Sequence, residues 1–473
     1  RDIWALKISD NVATDEDEPE VLAECGMHAR EHITVEMCLY MVRLLTANYG
    51  QPGATGDRVT NIVNTREIWI IPTLNPDGAE YNISDGVFHN WRKNRQPNPG
   101  SSAVGIDLNR NFSFMWGCCG GSSDKPGSGT YRGRYAFEAV EARVLRDFVL
   151  SRRVNGRQQL RSVLNWHAYG ARIYWPYGYT KTDVPSTMTV DDHEAFVALG
   201  HNMAALNDYV AHQGSDSYIY DGDFPAWGYG NQRVFVFTFE MYPPFGCNGC
   251  GGFKPPDELI ERETTRNRTA VLYLLEQSDC PWRSAGLGWS NCGPLYDDFE
   301  VGRGWRINPY GTDTATRGAF ARGIPQSSSD ASGVKQRAGA ASGRMAMATG
   351  LTRGLSAAAN DLDGGTTSAQ SPALNLDTGA WTLRFAYSFG HNTAATKADG
   401  VRFSVRDSTG LVTPVWTTTA TAGVNRNAVW QTVSVPVDAW AGQAITLLVE
   451  ATDSDADSLI EVAIDDVRVF RTP

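Results

Sequence analysis

The chain reads as an α/β domain, a central mixed β-sheet flanked by helices, followed by an all-β, jelly-roll-like sandwich. Three observations carry this reading. Up to about residue 278, apolar strand-like runs alternate with amphipathic helical stretches. Beyond about residue 294, short alternating segments appear and no long helical period does. At 473 residues the chain exceeds a single ordinary core, so two domains are expected.

The first strands are VLAEC at 21–25 and REIWIIP at 66–72, with RSVLNWHA at 161–168 and RVFVFTFEM at 233–241 further on. The opening RDIWALKIS also reads as strand, and without a Met at position 1 the numbering is taken to start inside a processed or truncated domain. Helical stretches are expected at 33–47, 136–152, 192–212 and 257–277. Apolar strands alternating with helices predict a sheet covered on both faces. SDCPWRSAGLGWSNCGP, from residue 278, contains a linker placed at 279–293, between a domain at 1–278 and a second at 294–473.

The second part holds only two lysines, Lys335 and Lys397, and is rich in Thr, Ser, Gly and Val. WTLRFAYSF, VRFSVRD, WQTVSVPV, AITLLVEA and IEVAIDDVRVF alternate as antiparallel strands do. Residues 327–345 read as a loose surface loop and DSDAD at 453–457 as a solvated turn.

Net charge is −11 and the sequence pI about 5.3. A general nucleic-acid binder would need a basic face, so none is expected. No apolar run reaches the roughly 18 residues of a membrane span, and a monomer is expected. The eight cysteines are mostly in loop-like sequence, which suits disulfides and a secreted protein. Cys247 and Cys250 could also be half a zinc knuckle. Cys25 and Cys38 sit in a strand-like and a helix-like run, where a buried free thiol competes with a bridge.

GMHAREH at 26–32 places His28 and Glu31 three residues apart at the expected start of a helix. Such a pair can turn toward one point, and imidazole nitrogen and carboxylate oxygen are both zinc ligands. A solvated helix-face pair is the competing reading. Catalytic zinc needs a third protein ligand and an open position. His167 in VLNWHAYG, near the end of an apolar strand, is the best candidate, with a hydrogen-bonded core histidine as the alternative. Glu240 ends another apolar run, where a buried carboxylate is costly without a role or a partner.

HARE at 28–31, NPDG at 75–78, WRKNR at 91–95, GIDLNRNF at 105–112, WHAY at 166–169 and FTFE at 237–240 occur in this order. Together they resemble the zinc metallocarboxypeptidases of the carboxypeptidase A/B type, and the likeness covers about residues 1–278. The resemblance implies a zinc ion on His28, Glu31 and His167, with Glu240 as general base toward the zinc-bound water. It assigns Arg95 to polarise the scissile carbonyl. Asn109 and Arg110 would grip the substrate's terminal carboxylate, and Arg30 and Tyr169 would add substrate contacts. Asp107 would orient a zinc-binding histidine. The implied partners are peptide or protein C-termini.

A tyrosine closing over the substrate is implied before FTFE: Tyr218 by a gapless count back from Trp227, Tyr220 if the loop shifts by two residues. The family's usual Asp before the Trp is Ala226 here, and Pro225 fills a position that often sets side-chain preference. Asp221 and Asp223 lie nearby, and Asp223 matches an Asp of bacterial relatives that accept basic and apolar residues. A broad or basic-leaning preference is expected.

The residues from about 294 resemble the β-sandwich accessory domains of secreted bacterial hydrolases. Acidic clusters at Asp297, Asp298 and Glu300, at Asp361 and Asp363, and at Asp465 and Asp466 could bind Ca2+, or could be acidic turns. Trp381, Trp416 and Trp430 could stack on sugars or pack a core. The main expectation is a zinc exopeptidase. A zinc deacylase or cell-wall endopeptidase on the same fold, and a non-catalytic binding protein, are the alternatives.

Overall fold

The strand-like runs of the first part assemble into one sheet. The computed structural model describes residues 1–154, 157–454 and 458–472. Its seven-stranded sheet comprises β1 (Leu6–Ile8), β2 (Glu20–Glu24), β3 (Glu67–Ile71), β4 (Leu160–Ala168), β5 (Arg172–Trp175), β6 (Val210–Gln213) and β7 (Phe235–Met241). The strand order is β1-β3-β2-β4-β7-β5-β6. The inner strands β3, β2, β4 and β7 run parallel, whereas β1 on β3 and β5 on β7 are antiparallel. The sheet is therefore mixed, as expected.

Every residue of β2 is buried, so the strand reads apolar without alternation. Leu22 joins a core with Leu145 and Val149 of the helix α3 (Val140–Ser151), and with Phe224 and Trp227 of α5 (Phe224–Gln232). α1 (His32–Asn48), which α2 (Ala54–Val63) follows, buries Ile33, Met37, Met41, Leu44 and Leu45, spaced at three and four residues. Burying such an aliphatic side chain contributes about 1.5–3 kcal/mol.

Several local expectations change. The helix expected over 192–212 is α4 (Val190–Asn207), because Asp208 takes φ 58° and the chain leaves as β6, which carries His212. The stretch 257–277 is broken: Ile260–Arg266 and α6 (Arg268–Gln277) meet at Asn267, whose side chain bonds Glu263 O and Asn207. Cys25 and Cys38 form a disulfide rather than free thiols, since the end of β2 faces α1. Cys118–Cys119 and Cys247–Cys250 are also bridged, and no cysteine among the described residues is free. No helix among them is long and apolar enough to cross a membrane.

By its contacts the chain divides into two compact units, with the later break at Ala285 and Gly286. Short helical turns at Pro281–Ala285 and Gly288–Asn291 occupy the segment read as a linker. The second unit holds two antiparallel sheets of six strands each. In one, Trp381–His391 pairs with Ile460–Arg471. In the other, Ala444–Asp453 lies between Gly365–Gln370 and Gly400–Arg406. Leu383, Phe385, Phe403, Leu447, Val449 and Val462 fill the core. Trp381 belongs to that core and Trp416 packs on it, which accounts for both without a sugar ligand.

The stretch read as a loose loop contains a hairpin of Ser328–Asp330 and Gly333–Gln336, anchored by a fully buried Lys335. The Lys335 ammonium reaches the side chains of Asn425 and Asn427. Of DSDAD, residues 455–457 lie outside the described residues, and Asp453 ends a strand.

Candidate active site

The site forms where β2, β4 and β7 end. After β2 the chain turns at Gly26, whose φ of 67° and close approach to Thr73 exclude a side chain. Thr34 clamps the turn that follows, accepting from Gly26 N at 3.1 Å and donating to Glu31 O at 2.7 Å. Glu31 N bonds His28 O at 3.1 Å, and α1 begins at His32. HARE is thus a tight turn capping the helix, not a pair on its face.

His28, Glu31 and His167 converge, all buried, with one ligating atom of each within 4.8 Å of the others. His28 Nδ1 lies 2.9 Å from Glu31 Oε1, and His167 Nδ1 lies 3.0 Å from Glu31 Oε2. The two Nδ1 atoms are 3.0 Å apart. Each ring has a partner on its far nitrogen: Asp107 Oδ1 at 3.1 Å from His28 Nε2, and Asn165 Oδ1 at 3.1 Å from His167 Nε2. If both far nitrogens donate, two lone pairs and a carboxylate face one point. Only a cation or protons relieve that crowding, and two imidazoles with a carboxylate are a zinc ligand set. Buried and electron-rich, the donor set fits zinc.

The charges agree. Burial opposes ionisation of Glu31, but His28 and His167 hold its carboxyl well below the usual range. Burial likewise opposes ionisation of Asp107, but Arg92, His28 and Arg110 together hold its carboxyl well below the usual range. Asn165 also donates to Glu24, a fully buried carboxyl that burial pushes up to about 8. Glu240 sits on β7 in direct register with His167 on β4. Its surroundings raise its pKa, first by desolvation and then by the Glu31 charge.

The two arginines of WRKNR separate. Arg92 Nε donates to Asp107 Oδ2 at 3.0 Å, and its Nη1 lies 3.8 Å from Glu31 Oε1. Arg95 instead stacks on aromatic rings, 3.6 Å from the centre of Tyr81 and 4.6 Å from that of Trp91. The guanidinium beside the ligand cluster is that of Arg92, not that of Arg95 to which the resemblance assigned the carbonyl.

A cleft of about 880 Å3 is lined by Arg30, Arg92, Arg95, Arg110 and Tyr218, among others. Arg110 is held by bonds from Nη1 to Asn109 O at 2.5 Å and from Nε to Gly121 O at 3.3 Å. Its Nη2 reaches the Tyr218 hydroxyl at 3.4 Å. Tyr218 is 56% exposed and Tyr220 only 8%. Asn109 Oδ1 accepts from Phe224 N at 2.9 Å, and its Nδ2 lies 3.4 Å from His167 Nε2. Arg30 bonds Asn90 and lies 3.9 Å over the Phe253 ring, which also packs against Tyr169.

Asp221 is occupied by the N–H groups of Gly117, Cys119 and Gly121 and by Ser122, a structural role. Asp223 caps α5 through Oδ2 to Ala226 N at 3.0 Å, while its buried Oδ1 has no hydrogen-bond partner. Burial pushes Asp223 up to about 6.

Sequence reasoning missed Arg92, Asn165 and Glu24. Asn165 was accessible, because residues two apart on a strand share a face and His167 needs a partner there. Arg92 lay inside WRKNR, and Glu24, like Glu240, stands near the end of an apolar run, but neither position tells which partner the side chain meets.

A family model described as zinc carboxypeptidase matches residues 1–270, and the chain belongs to that family. It is 47% identical to a zinc carboxypeptidase of Saccharothrix mutabilis subsp. capreolus over 286 residues, which cover 60% of this chain and 64% of that one. It is 30% identical to a zinc carboxypeptidase of Simulium vittatum, covering 59% of this chain and 86% of that one. The crystal structure of thrombin activatable fibrinolysis inhibitor aligns with a TM-score of 0.51 at 27% identity, over 58% of this chain and 65% of that one. The chain thus spans less than two thirds of the first relative's length.

Proposed function

We propose that this protein is a zinc-dependent carboxypeptidase that removes the C-terminal residue of peptides and proteins. The observation that carries the reading is the register of His167 with Glu240 beside a buried His28–Glu31–His167 donor set. When bound, zinc supplies Lewis-acid polarisation and acidifies a water. Glu240 accepts that water's proton and returns it to the leaving amine. Arg92, fixed by Asp107, donates to the carbonyl oxygen as negative charge develops there. Asp107 and Asn165 hold the rings of His28 and His167 in one orientation.

Arg110, Asn109 and the exposed Tyr218 receive the terminal carboxylate, which only a chain end offers. Arg30 and Tyr169 contact the substrate from the cleft's edge. The partnerless Asp223 Oδ1 supports a broad, basic-leaning preference for the released residue. Peptides with free and amidated C-termini, assayed with and without a chelator, test the whole. Release of single amino acids only from free ends, abolished by chelation, is expected; equal cleavage of amidated peptides would overturn it.

We further take residues 1–278 as the catalytic domain and 294–473 as an accessory sandwich of a secreted monomer. Its disulfides and the lack of a membrane-crossing helix among the described residues support secretion. For Ca2+ in the sandwich, the support is that Asp297, Asp298 and Asp465 are all buried, with Asp297 pushed up to about 7 by burial. Among the described residues no three His, Cys, Asp or Glu side chains there bring ligating atoms within 4.8 Å of one another. A cation would have to draw them together, and a calcium titration followed by melting temperature tests it.

A further inference from the structure

The cleft is a positive island on an acidic protein. Arg30, Arg92, Lys93, Arg95 and Arg110 line it, no Asp or Glu does, and the whole chain carries −11. Arg92 is neutralised by Asp107 and Glu31, and Arg110 has its task at the substrate's end. Among the described residues Arg95 makes no ion pair and no side-chain hydrogen bond. Its guanidinium is nonetheless held over Tyr81, at the end of the helix Pro76–Asn82, with Trp91 set edge-on to Tyr81 at 5.3 Å. Contact with the two π-systems holds the guanidinium in place without using any of its N–H groups in a side-chain hydrogen bond. A planar fork fixed in this way binds a carboxylate through two parallel hydrogen bonds at small entropic cost. Lys93 adds charge 5.8 Å from the Trp91 ring, with Nζ donating to Pro126 O at 2.6 Å.

A C-terminal exopeptidase holds a single residue beyond the scissile bond, and Arg110 with Tyr218 marks where it ends. The rest of the cleft, past Arg92, can take only residues that precede the bond. We propose that Arg95 is a specificity-determining residue whose stacked guanidinium selects an Asp or Glu side chain on the N-terminal side of the scissile bond. This rests on the carboxypeptidase reading.

The test is a set of peptide pairs differing by Glu or Gln at each of the four positions before the scissile bond. At one position kcat/KM should favour Glu by about tenfold, as expected for a charge-assisted hydrogen-bonded pair. The difference should lie in KM and shrink with added salt. In Arg95→Gln the Glu/Gln ratio should fall to about one, and Arg95→Lys should keep part of it. The ratio is taken within each variant, so partial misfolding does not move it. A ratio near one at every position in the unaltered protein, or a ratio unchanged by Arg95→Gln, overturns the proposal. The same pairs measured by calorimetric binding separate it from the carboxypeptidase reading. Arg95-dependent preference for Glu without hydrolysis keeps the subsite and sinks the enzyme assignment; hydrolysis without preference does the reverse.

Discussion

His167 and Glu240 occupy paired positions on adjacent parallel strands, so a metal-ligand candidate and a partly exposed carboxylate project from one face of the sheet. The pairing makes Glu240 the carboxylate placed to act beside the donor set without joining it. Glu240→Gln should therefore keep about one zinc per chain by atomic absorption. Its turnover should fall by about 10²–10⁴. Substantial turnover in this variant removes Glu240 from the mechanism.

Arg92 and Arg95 lie three residues apart and differ in task. Arg92→Ala should lower kcat by about 10²–10³, the scale of losing a donor to a developing oxyanion. Arg95→Ala should act through KM. Steady-state kinetics on one peptide series compares them, and the opposite order would return the carbonyl to Arg95.

Tyr218 and Tyr220 present the same contrast. Tyr218 is exposed with its hydroxyl at Arg110, whereas Tyr220 is buried against Gly178 and Gly214 with only its ring toward Arg110, 5.2 Å from the guanidinium. Tyr218→Ala should raise KM while leaving the melting temperature nearly unchanged. Tyr220→Ala should destabilise the fold by about 3–5 kcal/mol, the cost of an aromatic cavity, in denaturant unfolding.

Removing zinc leaves the facing donors of His28, Glu31 and His167 without a counter-charge. Binding to the folded state alone stabilises by mass action. The chelated protein should melt at a lower temperature and recover on adding zinc. His167→Ala should show little of that recovery; full recovery in the variant would place the ion elsewhere.

Glu20 opens β2 fully buried, with neither oxygen hydrogen-bonded and Arg152 3.6 Å away. Burial raises it to about 8 from an ordinary 4.5. Between those values the folded state holds the proton more tightly than the unfolded chain does. This contribution therefore favours folding at low pH and is lost as pH rises toward 8. Glu20→Gln should raise the melting temperature more at pH 8 than at pH 5, and an equal effect at both would refute the buried-carboxylate account.

Much of the site was legible in one dimension because its parts are short. His28 and Glu31 share one turn, and His167 and Glu240 each lie near the end of an apolar run, so local pattern and motif order sufficed. Helix 192–212 was overrun because Asp208, a residue that tolerates positive φ, ends it without a glycine or proline to announce the stop. The Cys25–Cys38 bridge was invisible because it depends on which face of α1 meets β2.

The sequence by itself determined the α/β order, the donor residues and the family, since strand and helix periods and motif spacing are properties of the chain alone. Tertiary structure decided which arginine stands beside Asp107, which tyrosine offers Arg110 its hydroxyl, and which aspartate keeps a free oxygen. Each is a matter of side-chain direction, and direction is set by packing against residues far away in sequence: Arg95 is turned by Tyr81, and Asp221 is consumed by the 117–122 loop. No local period encodes those contacts.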